Sequence, residues 1–271
     1  MAFTDYNEYL SSLSLNNGAD FQLSTFAGTS VNRLMDASRL LLPAPTVPTA
    51  SVALDKSSDR AINTNVANAG SGRLSILGAR INPSAIGGIF MIIIDALNIS
   101  GGLNATVTTA QTTNLPTAAL TRYTSGEGVH AGIVIHTALG GTATTATISY
   151  TNQAGTSGQT SPSFVFGGSG NQGIGQILRI PLAAGDTGVQ SVESITLVGT
   201  TGAAGNFGII LYKPLAMMFQ NDVEGATIID CVSSGRMVGQ CNEVLDDACL
   251  TFIHGANTTQ AVCGTIFLGE A

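Results

Sequence analysis

The chain has three histidines, and two of them, His130 and His136, fall with Glu127 inside RYTSGEGVHAGIVIH (122–136). Imidazole and carboxylate groups at that density are the raw material of a metal site or of a general acid–base pair. Spacing decides between such a site and an ordinary strand. Positions 130 and 136 are both even, so on one strand they share a face, and at about 3.3 Å per residue they stand roughly 20 Å apart. A zinc ligand sits within about 2 Å of its ion, so a straight strand cannot bring both to one metal. The two histidines are therefore expected to be half-exposed or to meet a neighbouring subunit.

The remaining chemistry-bearing residues are treated the same way. Glu127 in TSGEG and Asp186 in AAGDTG would form a glycosidase pair only by converging across a cleft. Each lies in a glycine-rich turn, where acidic side chains commonly serve the turn itself. Asp246 and Asp247 precede a strand without the further spaced oxygen ligands of a calcium loop. GSGNQG (168–173) has the G-x-G-x-x-G form and follows the strand-like SFVF. A dinucleotide site requires a helix next, whereas IGQILRIPL is strand-like, so a loop is expected. No serine lies in a G-x-S-x-G elbow.

The four cysteines, at 231, 241, 249 and 263, show no C-x-x-C spacing. Cys249 and Cys263 are equidistant from Ala256, so a hairpin of 248–253 with 260–268 would set them opposite each other, as a disulfide or, in a reducing cytosol, as two neighbouring thiols. No catalytic, cofactor-binding or metal-ligating residue is assigned, no cofactor is expected, and the chain is not expected to be an enzyme.

The elements that would hold these residues fall into three zones. Residues 1–48 form an N-terminal arm. In it TDYNEYLSSLSL and SVNRLMDASRLLL (30–42), with Ser30 as N-cap, carry helix signals, and PAPTVPT is an extended linker. Residues 49–215 are the β core, with RLSILGARI, GIFMIIIDALNI, GVHAGIVIHTAL, TATTATISYT, SFVF, ILRIPL, VESITLV and FGIILYK as strands. In TATTATISYT, Ala146, Ile148 and Tyr150 should face the core and Thr145, Thr147, Ser149 and Thr151 should face outward. GIFMIIID is apolar throughout, as a strand covered on both faces would be. Residues 216–271 are a cysteine-bearing β region packed on that core. Strands at this density without intervening helices predict an all-β fold, an antiparallel β-sandwich or jelly-roll-like barrel with an arm containing a short helix.

Composition limits the partners. Charged residues are 10% of the chain against 44% hydrophobic, and the net charge is −7. A nucleic-acid surface needs clustered Lys and Arg, so none is expected. The apolar run IGGIFMIII stops at Asp95, short of the roughly 20 residues that span a bilayer. MAFTDYNEYL has neither a basic segment nor an apolar one, so no signal peptide is expected. A surface of Thr, Ser, Asn, Gln and Gly suits faces that pack against other subunits.

Three ordered stretches then belong together: LPTAALTRYTSGEGVHAGIVIHTALGGTATTATISYTNQAGTSGQTS (115–161), RIPLAAGDTGVQSVESITLVGTTGAAGNFGIILYKPLA (179–216), and the tail DDACLTFIHGANTT with GTIFLGEA. They resemble a group of tailed-bacteriophage virion proteins, small Gly/Thr/Ala-rich β proteins encoded among head genes. The likeness covers roughly 100–271 and, more loosely, 28–57. It departs at the insert around 220–246 and at IFMIIID. The resemblance implies a structural role, head decoration or cement on the capsid surface of a virion assembled in the host cytoplasm. The implied partners are the major capsid protein and other copies of the chain, with a trimer favoured. The alternative is a tail, baseplate or host-carbohydrate-binding component. No catalytic residue comes with the group.

Overall fold

The computed structural model describes residues 18–23, 34–40, 45–62, 73–83, 88–113, 120–220, 227–230, 243–256 and 262–270. Seventeen strands appear among them. They are β1 (Gly18–Leu23), β2 (Met35–Asp36), β3 (Val52–Ala53), β4 (Arg73–Pro83), β5 (Ile89–Ile99), β6 (Gln111–Thr112), β7 (His130–Thr137), β8 (Ala143–Asn152) and β9 (Gln159–Thr160). There follow β10 (Phe164–Gly167), β11 (Ile177–Arg179), β12 (Val189–Leu197), β13 (Asn206–Gln220), β14 (Thr227–Asp230), β15 (Glu243–Leu245), β16 (Leu250–Ala256) and β17 (Val262–Glu270). All eight strands expected in the core zone are present, and every described pairing is antiparallel.

Three sheets result. The central one runs β11-β7-β13-β5-β16-β2, with β3 also on β5. A second runs β10-β8-β12-β6 with β9 on β8, and a third runs β1-β17-β4-β14 with β15 on β4. The central sheet is long because β13 and β5 are long, and its two ends serve different partners. Ile89, Met91 and Ile93 of β5 join Leu215 and Met218 of β13 in a core with Ile76, Ile266 and Leu268 of the third sheet. Ile133 and Ile135 of β7 join Phe207 and Ile209 in a core with Ile148, Tyr150, Ile195 and Leu197 of the second. On the opposite face of the central sheet, Ile94, Ala96, Val134 and Ile210 are covered by Leu34, Leu54 and Ala61. β5 is thus apolar from Ile89 to Ile94 because both its faces are covered, as its sequence predicts.

β8 alternates as expected, with Ala146, Ile148 and Tyr150 buried and Thr145, Thr147, Ser149 and Thr151 half-buried on the outer face. Pro214 is accommodated because β13 pairs with β7 only as far as Tyr212 and beyond that with β5 alone. A proline lacks the N–H that a second neighbour would require.

Two expectations change. β16 and β17 are not a hairpin: β16 pairs with β5 and β2 in the central sheet, and β17 with β4 and β1 in the third. Cys249 therefore abuts Ala96 through its carbonyl, Cys263 lies in register with Asn82, and the two thiols are not neighbours. Strand alternation specifies which side faces a core, and that pattern is equally satisfied when consecutive strands lie on opposite sides of one. Cys231 and Cys241 fall outside the described residues, as does the expected helix in 4–15.

The described part of SVNRLMDASRLLL is the short strand β2 and one 3-10 turn, Ala37–Leu40. Local helix signals yield to tertiary bonds here. Met35 pairs with His254, and the Asp36 carboxylate takes the Ser38 amide (3.0 Å) and hydroxyl (2.6 Å). Arg60 closes the segment over the sheet, donating to Asp36 (2.8 Å), Ser38 (3.0 Å) and the Thr46 carbonyl (3.2 Å), with Asp36 and Arg60 both buried.

Candidate functional site

RYTSGEGVH contributes something other than its histidines. Its first residue, Arg122, crosses to Asp95, in sequence between Ile93 of one core and Leu97 of the other. At that point β5 changes neighbour, from β16, which pairs up to Asp95, to β3, which pairs at Asn98 and Ile99. Arg122 fills the seam. Its Nε and Nη2 donate to the two Asp95 oxygens (2.8 and 2.9 Å), and Nη2 also reaches the Leu54 and Ala96 carbonyls (2.9 and 3.1 Å). The Cys249 amide completes the Asp95 shell at 2.9 Å. Burial pushes the Asp95 carboxyl upward while Arg122 and the Cys249 amide pull it down. Burial also opposes the Arg122 charge, but Asp95 holds it protonated. Arginine does not release its proton, so Asp95 faces a fixed cation, and burial nonetheless leaves its carboxyl above the ordinary value.

The next residue, Tyr123, packs against both cores and carries a left-handed backbone (φ 50°), a conformation that costs a non-glycine residue free energy and persists only where packing enforces it. Lys213 lies over its ring, 5.5 Å from the centroid, and donates to the Glu127 carbonyl at 2.8 Å. Burial raises the Tyr123 phenol well above its ordinary value, so the ring is a neutral wedge.

Beyond it, the glycine-rich turns noted in the sequence meet at one corner. Glu127 bridges Gly188, and its carboxylate accepts from Thr187 Oγ1 at 2.7 Å. Gln153, in YTNQAG, accepts from the Thr187 and Gly188 amides (3.1 and 3.3 Å), and Gln190 donates to the Ser125 and Gln153 carbonyls (3.2 and 3.3 Å). Asp186 is held by Tyr150 Oη and by Asn152 Nδ2 (2.8 Å). SGEG, TNQAG and AAGDTG are therefore three faces of one junction. Gly188 is there because a Cβ would lie 1.9 Å from the Gly126 carbonyl oxygen. Gly188→Ala is expected to cost about 1–3 kcal/mol through overpacking. Gly170→Ala, whose Cβ would meet nothing within 4 Å, should melt close to the parent in the same thermal scan.

Glu127 and Asp186 thus lie at one corner, closer than separate turns suggest, but each carboxylate is occupied by hydrogen bonds within the chain. The two histidines differ: the register of β7 against β13 shifts between Ile135 and Thr137, at His136, and the half-exposed position expected of both holds for His130 alone. His130 is half-buried, its ring tilted at 37° against Tyr212 with centroids 5.7 Å apart, and burial, Arg179 and Lys213 lower its pKa. His136 is buried, with Nε2 2.9 Å from the Ser100 carbonyl. Among the described residues no group of three His, Cys, Asp or Glu side chains could hold a metal. GSGNQG is a loop leading to β11, with Gln176 Nε2 bound to the Gly170 carbonyl at 2.9 Å, and no helix follows it among the described residues. Asp247 pairs with Lys56 at 3.0 Å on the surface. Burial pushes the Cys249 thiol up to about 12, so it is not a thiolate at neutral pH.

No family model and no curated protein matches the chain. Among solved structures, the VP2 subviral particle of infectious bursal disease virus aligns over 94% of this chain and 79% of its own, at 12% identity and a TM-score of 0.17. The structure of the Gt strain of that virus covers 94% and 80% at 11% identity and a TM-score of 0.18. A mutant VP2 in derived T=1 particles covers 99% and 84% at 10% identity and a TM-score of 0.17. The similarity to these viral capsid proteins is weak, and at such scores it carries no further argument.

Two surface features remain. The outer face of the second sheet is a lattice of small side chains. Thr147 lies beside Thr196, Ser149 beside Ser194 and Thr160, and Ser194 beside Thr112. Val165 (56% exposed) and Val198 (76% exposed) flank Thr145. The carboxylate on this face, Glu193, has one oxygen taken by Thr151 (2.6 Å) and Ser191 (2.7 Å). The second feature is a cleft of about 640 Å³ at the end of β11, with His130, Arg179, Asp186 and Thr187 on its walls. Among the described residues no helix is long and apolar enough to cross a membrane.

Proposed function

We propose that the chain is a structural protein of a tailed-phage particle, a head decoration protein that binds the outer capsid lattice and stabilises it by surface burial. The observation that carries this reading is the outer face of the second sheet. Its hydroxyls and methyls can be covered by another protein at little cost, while Glu193, bonded through one oxygen only, would need a donor from that protein; charge depletion marks the buried centre of interfaces. The resemblance of 100–271 to phage head proteins supports the same role, and its glycine-punctuated stretches build the three-loop corner of this chain. Many copies, each burying roughly 1,000 Å² or more, would tie capsomers together.

Purified protein mixed with undecorated capsids is expected to bind saturably. Arginines introduced on the face, as Thr196→Arg with Val198→Arg, should weaken that binding at least tenfold while leaving the melting temperature near the parent's. Absence of binding to intact heads would sink the role; full binding by the arginine variant would move the docking face elsewhere. The alternative, a tail or baseplate position, is favoured only by the cleft beside β11, and immunogold labelling of the tail would decide for it.

A further inference from the structure

We propose that the cleft beside β11 binds a carboxylate-bearing sugar ring, with Arg179 gripping the carboxylate and Asp186 accepting ring hydroxyls. The inference does not depend on where the protein sits in a particle. The cleft exists because the ladder stops. After Arg179, the Ile180 amide still bonds to the Ala131 carbonyl (3.0 Å), but Pro181 has no N–H to give, and the chain swings away towards the second sheet. The space left, about 640 Å³, lies within the range of clefts that hold small ligands.

Its polar groups are of the kinds an acidic sugar needs. Arg179 is exposed, opposite Gly132 in register, and its guanidinium makes no hydrogen bond or ion pair with the described residues. A guanidinium offers a planar fork that matches a carboxylate in two parallel bonds. In a chain with only ten Lys and Arg, an unpaired one on a cleft wall is conspicuous. Asp186 is held from behind by Tyr150 and Asn152, one bond to each oxygen, and each carboxylate oxygen keeps a second lone pair. The His130 ring is steadied by Tyr212 and supplies a further hydroxyl partner. Pro181 and Leu182 give an apolar strip for the C–H face of a pyranose. A simple anion would use Arg179 and leave Asp186 as a repulsive neighbour. A neutral sugar would leave Arg179 unused. The combination selects a ring that carries both functions.

The test is a titration of the isotope-labelled full chain, followed by amide NMR, with three probes: trigalacturonate, galactotriose and inorganic sulfate. Trigalacturonate is expected to shift the His130 and Thr187 amides saturably and to bind at least tenfold more tightly than galactotriose. Arg179→Ala should weaken it at least tenfold, and Arg179→Lys, which keeps the charge and loses the fork, should fall between. Circular dichroism of both variants should match the parent, since the side chain is exposed. No saturable shift, an equal response to galactotriose, a response to sulfate as strong as to trigalacturonate, or unchanged affinity in Arg179→Ala would each overturn the proposal.

Discussion

Arg122→Ala is expected to destabilise the protein by roughly 3–5 kcal/mol, the usual consequence of removing one partner of a buried ion pair. Asp95 is fully buried and Arg122 nearly so, so the carboxylate left behind would keep only the Cys249 amide. Two carbonyls, of Leu54 and Ala96, would also lose a donor. The damage falls at the seam where β16 hands over to β3 along β5, a place that backbone pairing alone does not close. Denaturant titration should show the loss as a lowered midpoint at an unchanged slope. Asp95→Leu combined with Arg122→Met should recover most of it, because two well-packed apolar side chains often replace a buried pair at little cost. A loss below about 1 kcal/mol in Arg122→Ala would mean that the seam is held by something else.

The clue to that pair lay in the sequence as a single carboxylate inside IFMIIIDALNI. There it served only to end an apolar run, since its partner sits 27 positions away in what looks like an ordinary polar turn. Which faces were covered was legible: β8 alternates with period two against one core, and β5 puts apolar residues from both its faces into three. Which strands pair was not, because period-two patterning marks the buried face of a strand and says nothing of its neighbour. Hence β16 and β17 seemed a hairpin while belonging to different sheets. The junction of SGEG, TNQAG and AAGDTG could be seen as three turns, but their convergence depends on how the β7, β8 and β12 ends stack. Arg179 had no sequence mark at all; it matters only because β11 stops beside it.

Acid should loosen the protein through His254. This residue is buried on β16 between Met91 of β5 and Met35 of β2. Burial lowers its pKa from the ordinary 6.5 to about 4, with Asp36 pulling weakly the other way. In the unfolded chain the imidazole takes a proton as pH falls through 6.5, whereas in the folded chain it stays neutral down to about 4. Between those values the unfolded state binds more protons, so stability is fully present above pH 6.5 and is lost as pH falls towards 4. The gap corresponds to about 3 kcal/mol across the window. Urea midpoints measured from pH 7 to pH 4.5 should fall in the parent and fall markedly less in His254→Gln, which cannot charge. His130, lowered by burial and by Arg179 and Lys213, contributes with the same sign, so His130→Gln should flatten the profile further. Parallel profiles for the parent and His254→Gln would show that the acid sensitivity comes from the carboxylates instead. The strain of a charged imidazole would fall on β2 and β16, where His254 lies opposite Met35 beside the Asp36–Arg60 pair.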